Sequence, residues 1–194
     1  MYHIGIFTFL GLDIEAFHRE DRTFATQMVM RSELMFILDL ALKDSGLYAD
    51  AEILDRGDGA LVILTCSALQ VLTEVVPDLT ASLDTYNAGK PRHLVLRLRL
   101  AVHQGTAARD ERGGWIGQDL TFAFRMIESD TMRRQLATTT QPVVLAVSQQ
   151  VKEELDAAGA DIRQVVPKLG SLGFHTKETR ATVWMAQLGR CVPA

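Results

Sequence analysis

Cysteine is scarce in this sequence: Cys66 and Cys191 are the only two among 194 residues, far apart and in no CxxC or Cys/His pattern. That excludes a disulfide framework as the basis of the fold, and both are read as reduced structural thiols. Histidine offers no more. His3, His18, His93, His103 and His175 show none of the HxxxH-type spacings that hold zinc, so any metal is expected to be oxygen-bound. No apolar run approaches the roughly 20 residues that span a bilayer, and Met1-Tyr2-His3-Ile4 lacks the basic start of a secretory signal. The expectation is a cytoplasmic protein with no membrane partner. A net charge of −4 offers no broad attraction to a nucleic-acid backbone, so no nucleic-acid partner is expected either. Repeats, linkers and low-complexity tracts are absent, and residues 1–194 read as one domain of ordinary soluble composition, 47% hydrophobic and 23% charged.

What is present is a succession of apolar patterns with different periods. Ile4 to Ile14, rich in β-branched and aromatic residues, reads as a buried strand with Asp13 at its end. From Phe24 to Asp44 apolar residues recur at helical spacing, and Ser45-Gly46 supplies a stop. Ala51 to Asp55 and Ala60 to Thr65 flank Gly57-Asp58-Gly59, a hairpin signal. Leu69 to Tyr86 is helical in pattern, with Pro77 predicting a break or a late start. Leu94 to His103 alternates Leu96, Leu98, Leu100 and Val102 against Arg97 and Arg99, as a strand with one buried face does. Gln104 to Trp115 reads as a loop and Gly117 to Leu136 as one helix. Val143 to Val147 is a strand, Gln149 to Ala158 a helix closed by Gly159, and Thr182 to Ala186 the last strand. The order predicts an α+β fold: a ferredoxin-like βαββαβ core with C-terminal α/β additions. Such a core hosts many functions and does not choose among them.

Two carboxylates stand out. Asp58 is accounted for by a tight turn, in which Asp-Gly accepts positive φ, without any metal, and a site role is the alternative. Asp13 is either a strand terminator or cap ahead of Ala16, or a binding residue at a strand end, where loops carry function. The first strand and the hairpin can be sheet neighbours, which would bring the two together. Close carboxylates repel, and a divalent cation relieves the repulsion; Mg²⁺ or Mn²⁺ held by one or two carboxylates and substrate phosphates is the usual arrangement in nucleotide chemistry.

Four segments sharpen that reading: Leu12-Asp13-Ile14-Glu15-Ala16-Phe17, the Arg56-Gly57-Asp58-Gly59 turn, Leu98-Arg99-Leu100-Ala101-Val102-His103-Gln104-Gly105, and Gly117-Gln118-Asp119-Leu120-Thr121-Phe122-Ala123-Phe124-Arg125-Met126. In this order and spacing, with Lys177-Glu178-Thr179 ahead of the last strand, the chain resembles class III nucleotidyl cyclases over most of its length. It looks most like small standalone cyclase-like proteins of actinobacteria, similar to the pyrimidine cyclases of Pycsar antiphage systems. The resemblance implies that Asp13 and Asp58, with the Ile14 carbonyl, hold two Mg²⁺ or Mn²⁺ ions per site. It implies that Arg125 stabilises the transferring phosphoryl group, a role suited to a guanidinium's fixed donors. Thr121 falls where such cyclases place a ribose-orienting asparagine, and Lys177 aligns with a triphosphate-contacting lysine or is a surface lysine. A head-to-tail homodimer is also implied, with aspartates from one protomer and arginine helix from the other, acting on a nucleoside triphosphate. The cyclic product would be a second messenger read by a separate effector protein.

The departures bear on the base. Adenylyl cyclases read adenine with a lysine three residues before the GDG turn and an acidic or threonine side chain before the arginine helix. Here those positions hold Leu54 and Gly114. Neither offers adenine a side-chain hydrogen bond, and losing such a contact costs discrimination strongly. Leu54, Gly114 and Trp115 are therefore the candidate base-contacting positions, and the resemblance implies a pyrimidine, UTP ahead of CTP. Trp115 serves equally as a packing or dimer-contact residue. The rival reading is a degenerate cyclase homology domain that binds a nucleotide or a partner without turnover. A diguanylate cyclase relative is disfavoured, because no acidic residue follows Asp58 in the turn.

Overall fold

A strand buried along both faces organises the chain. In a computed structural model that describes residues 2–159, 169–175 and 180–192, β1 (His3–Ile14) lies inside a mixed sheet with β3 (Gly59–Leu64) on one side and β4 (Leu98–Arg109) on the other, antiparallel to both. β2 (Ala51–Asp55) pairs with β3 at one edge. Beyond β4 come β6 (Val143–Ser148), parallel to it, then β8 (Arg180–Leu188) and β7 (Gly170–His175). The order among the described residues is β2-β3-β1-β4-β6-β8-β7, with β5 (Trp115–Ile116) paired to β4 off this path. Its first four members are the split βαβ arrangement expected, and the C-terminal elements extend the sheet past β4.

Alternation sends successive side chains of β1 to opposite faces. Leu10, Leu12 and Ile14 join Leu100, Val102 and Leu145 in the main core, under α1 (Phe24–Asp44), α3 (Val76–Asn87) and α6 (Gln149–Ala157). Phe7 and Phe9 face the other way, toward Leu120 and Ala123 of α4 (Gln118–Ile127). Further along that face Ala101 and Val144 meet Met126 of α4 and Met132 of α5 (Asp130–Ala137). Truncating one of the fully buried leucines to alanine would cost about 2–5 kcal/mol.

Local chemistry sets the boundaries. Thr23 caps α1 by accepting from the Thr26 amide, and Gly46, at φ 72°, ends it. The segment predicted to be broken at Pro77 begins as α2 (Ala68–Gln70), widens into a π turn over Val71–Val75 and resumes as α3 with Pro77 in its first turn. Proline has no amide to donate, and the loosened turn sits where the hydrogen-bond ladder must accommodate it.

Four expectations are corrected. β4 starts at Leu98, not Leu94, because Asn87 takes both the amide and the carbonyl of Leu96 into side-chain hydrogen bonds of 2.8 Å. It then runs to Arg109, and the predicted loop shrinks to residues 110–114. The early half of β1 supplies the pairing edge, from Phe9 opposite His103 to His3 opposite Arg109, and the polar residues that suggested a loop alternate with buried Gly105 and Ala107. The single helix over Gly117 to Leu136 is two, since Ser129 donates to the Met126 carbonyl and caps α5 through the Met132 amide. α6 ends on Ala158 in extended conformation, not on a left-handed Gly159, and β7 was not anticipated. No helix among the described residues is long and apolar enough to cross a membrane.

Gly59 tests the closeness of the hairpin to β1. A Cβ there would fall 2.1 Å from the Leu12 carbonyl oxygen. Gly59→Ala should destabilise the protein by roughly 2 kcal/mol or more, read as a lowered denaturant midpoint; an unchanged midpoint would mean the hairpin is not seated as described.

Candidate active site

Asp13 is the penultimate residue of β1, and register places it between Gly59 on β3 and Arg99 on β4. Its carboxylate forms an ion pair with Arg99, both side chains largely buried at 17% and 11% exposure. The contact is made to Oδ2 of Asp13, which is buried and has no other partner among the described residues. Burial pushes its carboxyl up to about 6; the Arg99 charge opposes that and Asp58 adds to it. Just beyond, Ala16 adopts a left-handed φ of 51° and turns the chain sharply after Glu15.

Asp58 reaches the same place through the hairpin. Its carbonyl accepts a 2.9 Å bond from the Ile14 amide, which ties the turn to the end of β1. The positive φ in this turn falls on Gly57, at 86°, and the Asp55 carboxylate accepts from the Gly57 amide at 2.8 Å. Turn geometry thus makes no demand on the Asp58 side chain, and the turn explanation considered for it fails. Among the described residues that half-buried carboxylate has neither a hydrogen bond nor an ion pair.

The two aspartates line one cavity of about 230 Å³ with Arg56, Arg99, Arg133 and Glu128. A buried carboxylate answered by a single guanidinium, beside a second carboxylate with no partner among the described residues, fits a hard divalent cation. No group of three or more His, Cys, Asp or Glu side chains that could hold a metal occurs among the described residues, so other ligands would have to be backbone oxygens, substrate phosphates or water.

Arg125 and Thr121 lie one helical turn apart on α4 and line a different cavity, about 900 Å³, together with Trp115. No residue lines both cavities. The aspartate cavity is closed instead by Phe124, Ile127 and Glu128, so within one chain α4 separates Arg125 from the acidic pair. The Thr121 hydroxyl donates to the Gly117 carbonyl at 3.0 Å.

Leu54 and Trp115 pack in the same apolar cluster as Phe7 and Phe124. The Trp115 indole donates to Glu52 at 3.1 Å, and its ring meets Phe7 edge-on at 4.9 Å, so packing accounts for it within the chain. Gly114 closes the preceding loop through two hydrogen bonds with Asp110. Lys177 lies outside the described residues.

Two functional placements were not read from the pattern. Arg99, opposite the leucines of β4, is the direct partner of Asp13; its signal was an arginine alternating with apolar residues on a strand buried on both faces. The other is an anchor for α4. Buried His103 contacts the Ser148 hydroxyl through Nδ1 at 2.9 Å and lies 3.5 Å from Asp119 through Nε2. Asp119 accepts the Thr106 amide at 2.7 Å. A Cβ on Gly105 would come within 2.4 Å of that carboxylate, so glycine is required for the helix to approach. Burial lowers the His103 pKa below its ordinary value against the pull of Asp119.

The comparisons agree with this architecture. No protein-family model matches the sequence, and no curated protein matches it. Solved structures do. An adenylate/guanylate cyclase/hydrolase from Silicibacter pomeroyi aligns over 100% of both chains at 18% identity and TM-score 0.69. The guanylyl cyclase Cya2 aligns over 96% of this chain and 94% of its own at 16% identity and TM-score 0.66. The catalytic core of a rhodopsin-guanylyl cyclase with converted specificity, in complex with ATPαS, aligns over 95% of this chain and 96% of its own at 12% identity and TM-score 0.65. The chain therefore has the fold of adenylate and guanylate cyclase catalytic domains.

The raised carboxyl of Asp13 fixes a sign. Because folding favours its protonated form, the stability it confers is present below pH 4 and is lost as pH rises through about 6, by an amount on the order of 3 kcal/mol. In EDTA, Asp13→Asn should therefore raise the melting temperature at pH 7.5 and leave it nearly unchanged at pH 4. Mn²⁺ should raise the wild-type value at pH 7.5 but little at pH 5. Thermal melts across this range check both, and a metal effect of equal size in Asp13→Asn would remove Asp13 from the site.

Proposed function

We propose that this chain is a nucleotide cyclase that converts a nucleoside triphosphate to its 3′,5′-cyclic nucleotide and pyrophosphate. The observation that carries the reading is the meeting of Asp13 and Asp58 in one cavity, one buried with a single arginine that does not offset its desolvation, the other uncommitted to its turn. The fold supports it independently. In the reaction the ribose 3′-oxygen bonds to the α-phosphorus, the bond to the bridging oxygen breaks, pyrophosphate leaves, and the 3′ proton passes to solvent. Asp13, Asp58 and the Ile14 carbonyl would hold two Mg²⁺ or Mn²⁺ ions, which when bound supply charge neutralisation and Lewis acidity. Arg99 and Arg133, on the wall of the same cavity, are placed to meet phosphate oxygens.

Arg125 would brace the phosphoryl group, and Thr121 would contact the ribose, from a second copy of the chain. The separation of their cavity from the aspartates makes one protomer insufficient, and a head-to-tail homodimer completes two equivalent sites. Trp115 and Lys177 complete the proposed substrate contacts.

For the base we infer a pyrimidine, UTP ahead of CTP. Leu54 is apolar, Gly114 has no side chain, and the Trp115 donor is occupied by Glu52, so this wall lacks a side-chain partner for the adenine edge. A cyclic pyrimidine nucleotide would act as a cytoplasmic second messenger in antiphage defence, read by a separate effector protein. The second reading is a module that binds a nucleotide without turnover, favoured by the engagement of the Thr121 hydroxyl with its own helix.

Incubation with each of the four ribonucleoside triphosphates and Mn²⁺ should yield cyclic UMP fastest. No cyclic product from any of them, with an intact dimer and metal-dependent nucleotide binding, would establish the second reading instead. Asp58→Ala and Arg125→Ala should each lower activity by at least about a thousandfold. Co-expressed, they should recover roughly one quarter of wild-type activity, since half the dimers would be mixed and each of those would hold one intact site; no recovery would sink the shared-site arrangement.

A further inference from the structure

A second basic cavity lies outside the aspartate site. About 300 Å³ in volume, it is lined by Arg19, Arg22, Arg92 and Arg97, with Glu15 and the threonines at 138–140, and shares no lining residue with the cavity of Asp13 and Asp58. Two of its guanidiniums are neutralised. Arg97 pairs with Glu15 at 3.0 Å and also donates to the carbonyls of Leu136 and Thr139, while Arg19 pairs with Asp21.

The other two are not. Arg22 is only 5% exposed, and its terminal nitrogens donate to the carbonyls of Glu15 and Val95; no carboxylate among the described residues lies within ion-pair distance. Its Nε is buried without any partner. Arg92, exposed at the rim, has no ion pair among the described residues. Four guanidiniums facing two carboxylates leave two positive charges in excess around a small cavity. Arg97 and Arg22 both pin backbone carbonyls, but only Arg97 is also answered by a carboxylate, and a buried charge is costly unless an opposite charge answers it.

We infer that this cavity binds a phosphate group. A phosphate dianion matches the excess charge, its oxygens suit the planar donors of arginine and the neighbouring threonine hydroxyls, and the volume leaves room for a small organic portion. The group is either free inorganic phosphate or the phosphate of a small phosphoester. Glu15 and Arg97 lie just past the paired ends of β1 and β4, two residues along from Asp13 and Arg99.

The test uses the chain of residues 1–194 in EDTA, with ionic strength held constant by KCl, so that neither metal nor turnover contributes. Inorganic phosphate and glycerol 3-phosphate are titrated separately by calorimetry and by thermal melts. A saturable rise in melting temperature over the chloride control supports the site, and the tighter of the two ligands identifies the source. Arg92→Glu, at an exposed position compatible with folding, should weaken Kd by about tenfold or more, while Asp13→Asn should leave it within about twofold. A phosphate effect no larger than that of chloride, a Kd indifferent to Arg92→Glu, or binding lost in Asp13→Asn would each overturn the inference.

Discussion

The antiparallel register of β1 between β3 and β4 is the constraint on which the site depends. It sets Asp13 opposite Gly59 on one side and Arg99 on the other. The glycine lets the hairpin come close enough for the Ile14 amide to reach the Asp58 carbonyl, and the arginine answers part of the charge that burial makes costly. A shift of one residue would turn Asp13 into the leucine core beneath α1 and replace it with Ile14 or Leu12. The site is thus specified by the same pattern that specifies the sheet.

The electrostatics of that position are unbalanced. Arg99 alone does not hold the Asp13 carboxyl at an ordinary value, because desolvation outweighs it and Asp58 works against it. A protein under selection for stability alone has little use for a buried carboxylate whose one arginine does not offset its desolvation, next to a second carboxylate with no structural duty. Replacing either by a neutral side chain would cost the fold little. A cation held between them, as in the proposed function, would relieve both costs.

Much of this could be read before the fold was seen, for identifiable reasons. The helix at Phe24–Asp44 was legible because its cap, its periodicity and its glycine stop agree. Asp13 at a strand end and Asp58 in a hairpin were legible because apolar runs bracket them. What escaped depended on partners distant in sequence. The reach of β4 to Arg109 is decided by β1, not by the polar residues within it, and the start at Leu98 is decided by Asn87. Arg99 and His103 escape a period-two pattern, which implies one buried face, because α4 and α5 cover the second.

α4 then links what the sequence kept apart. One side of it closes the aspartate cavity with Phe124 and Ile127, and another presents Thr121 and Arg125 to the larger cavity. Its first turn is fixed to β4 by Asp119, through the Thr106 amide and His103, over a glycine that leaves no room for any side chain. Its last turn meets β1 where Ile127 occupies the space a side chain on Gly11 would need. α4 is thus held at both ends against the two strands that carry Asp13 and Arg99. The two cavities that α4 separates are therefore held in one relation within the chain, and it is this relation that the proposed head-to-tail dimer would use.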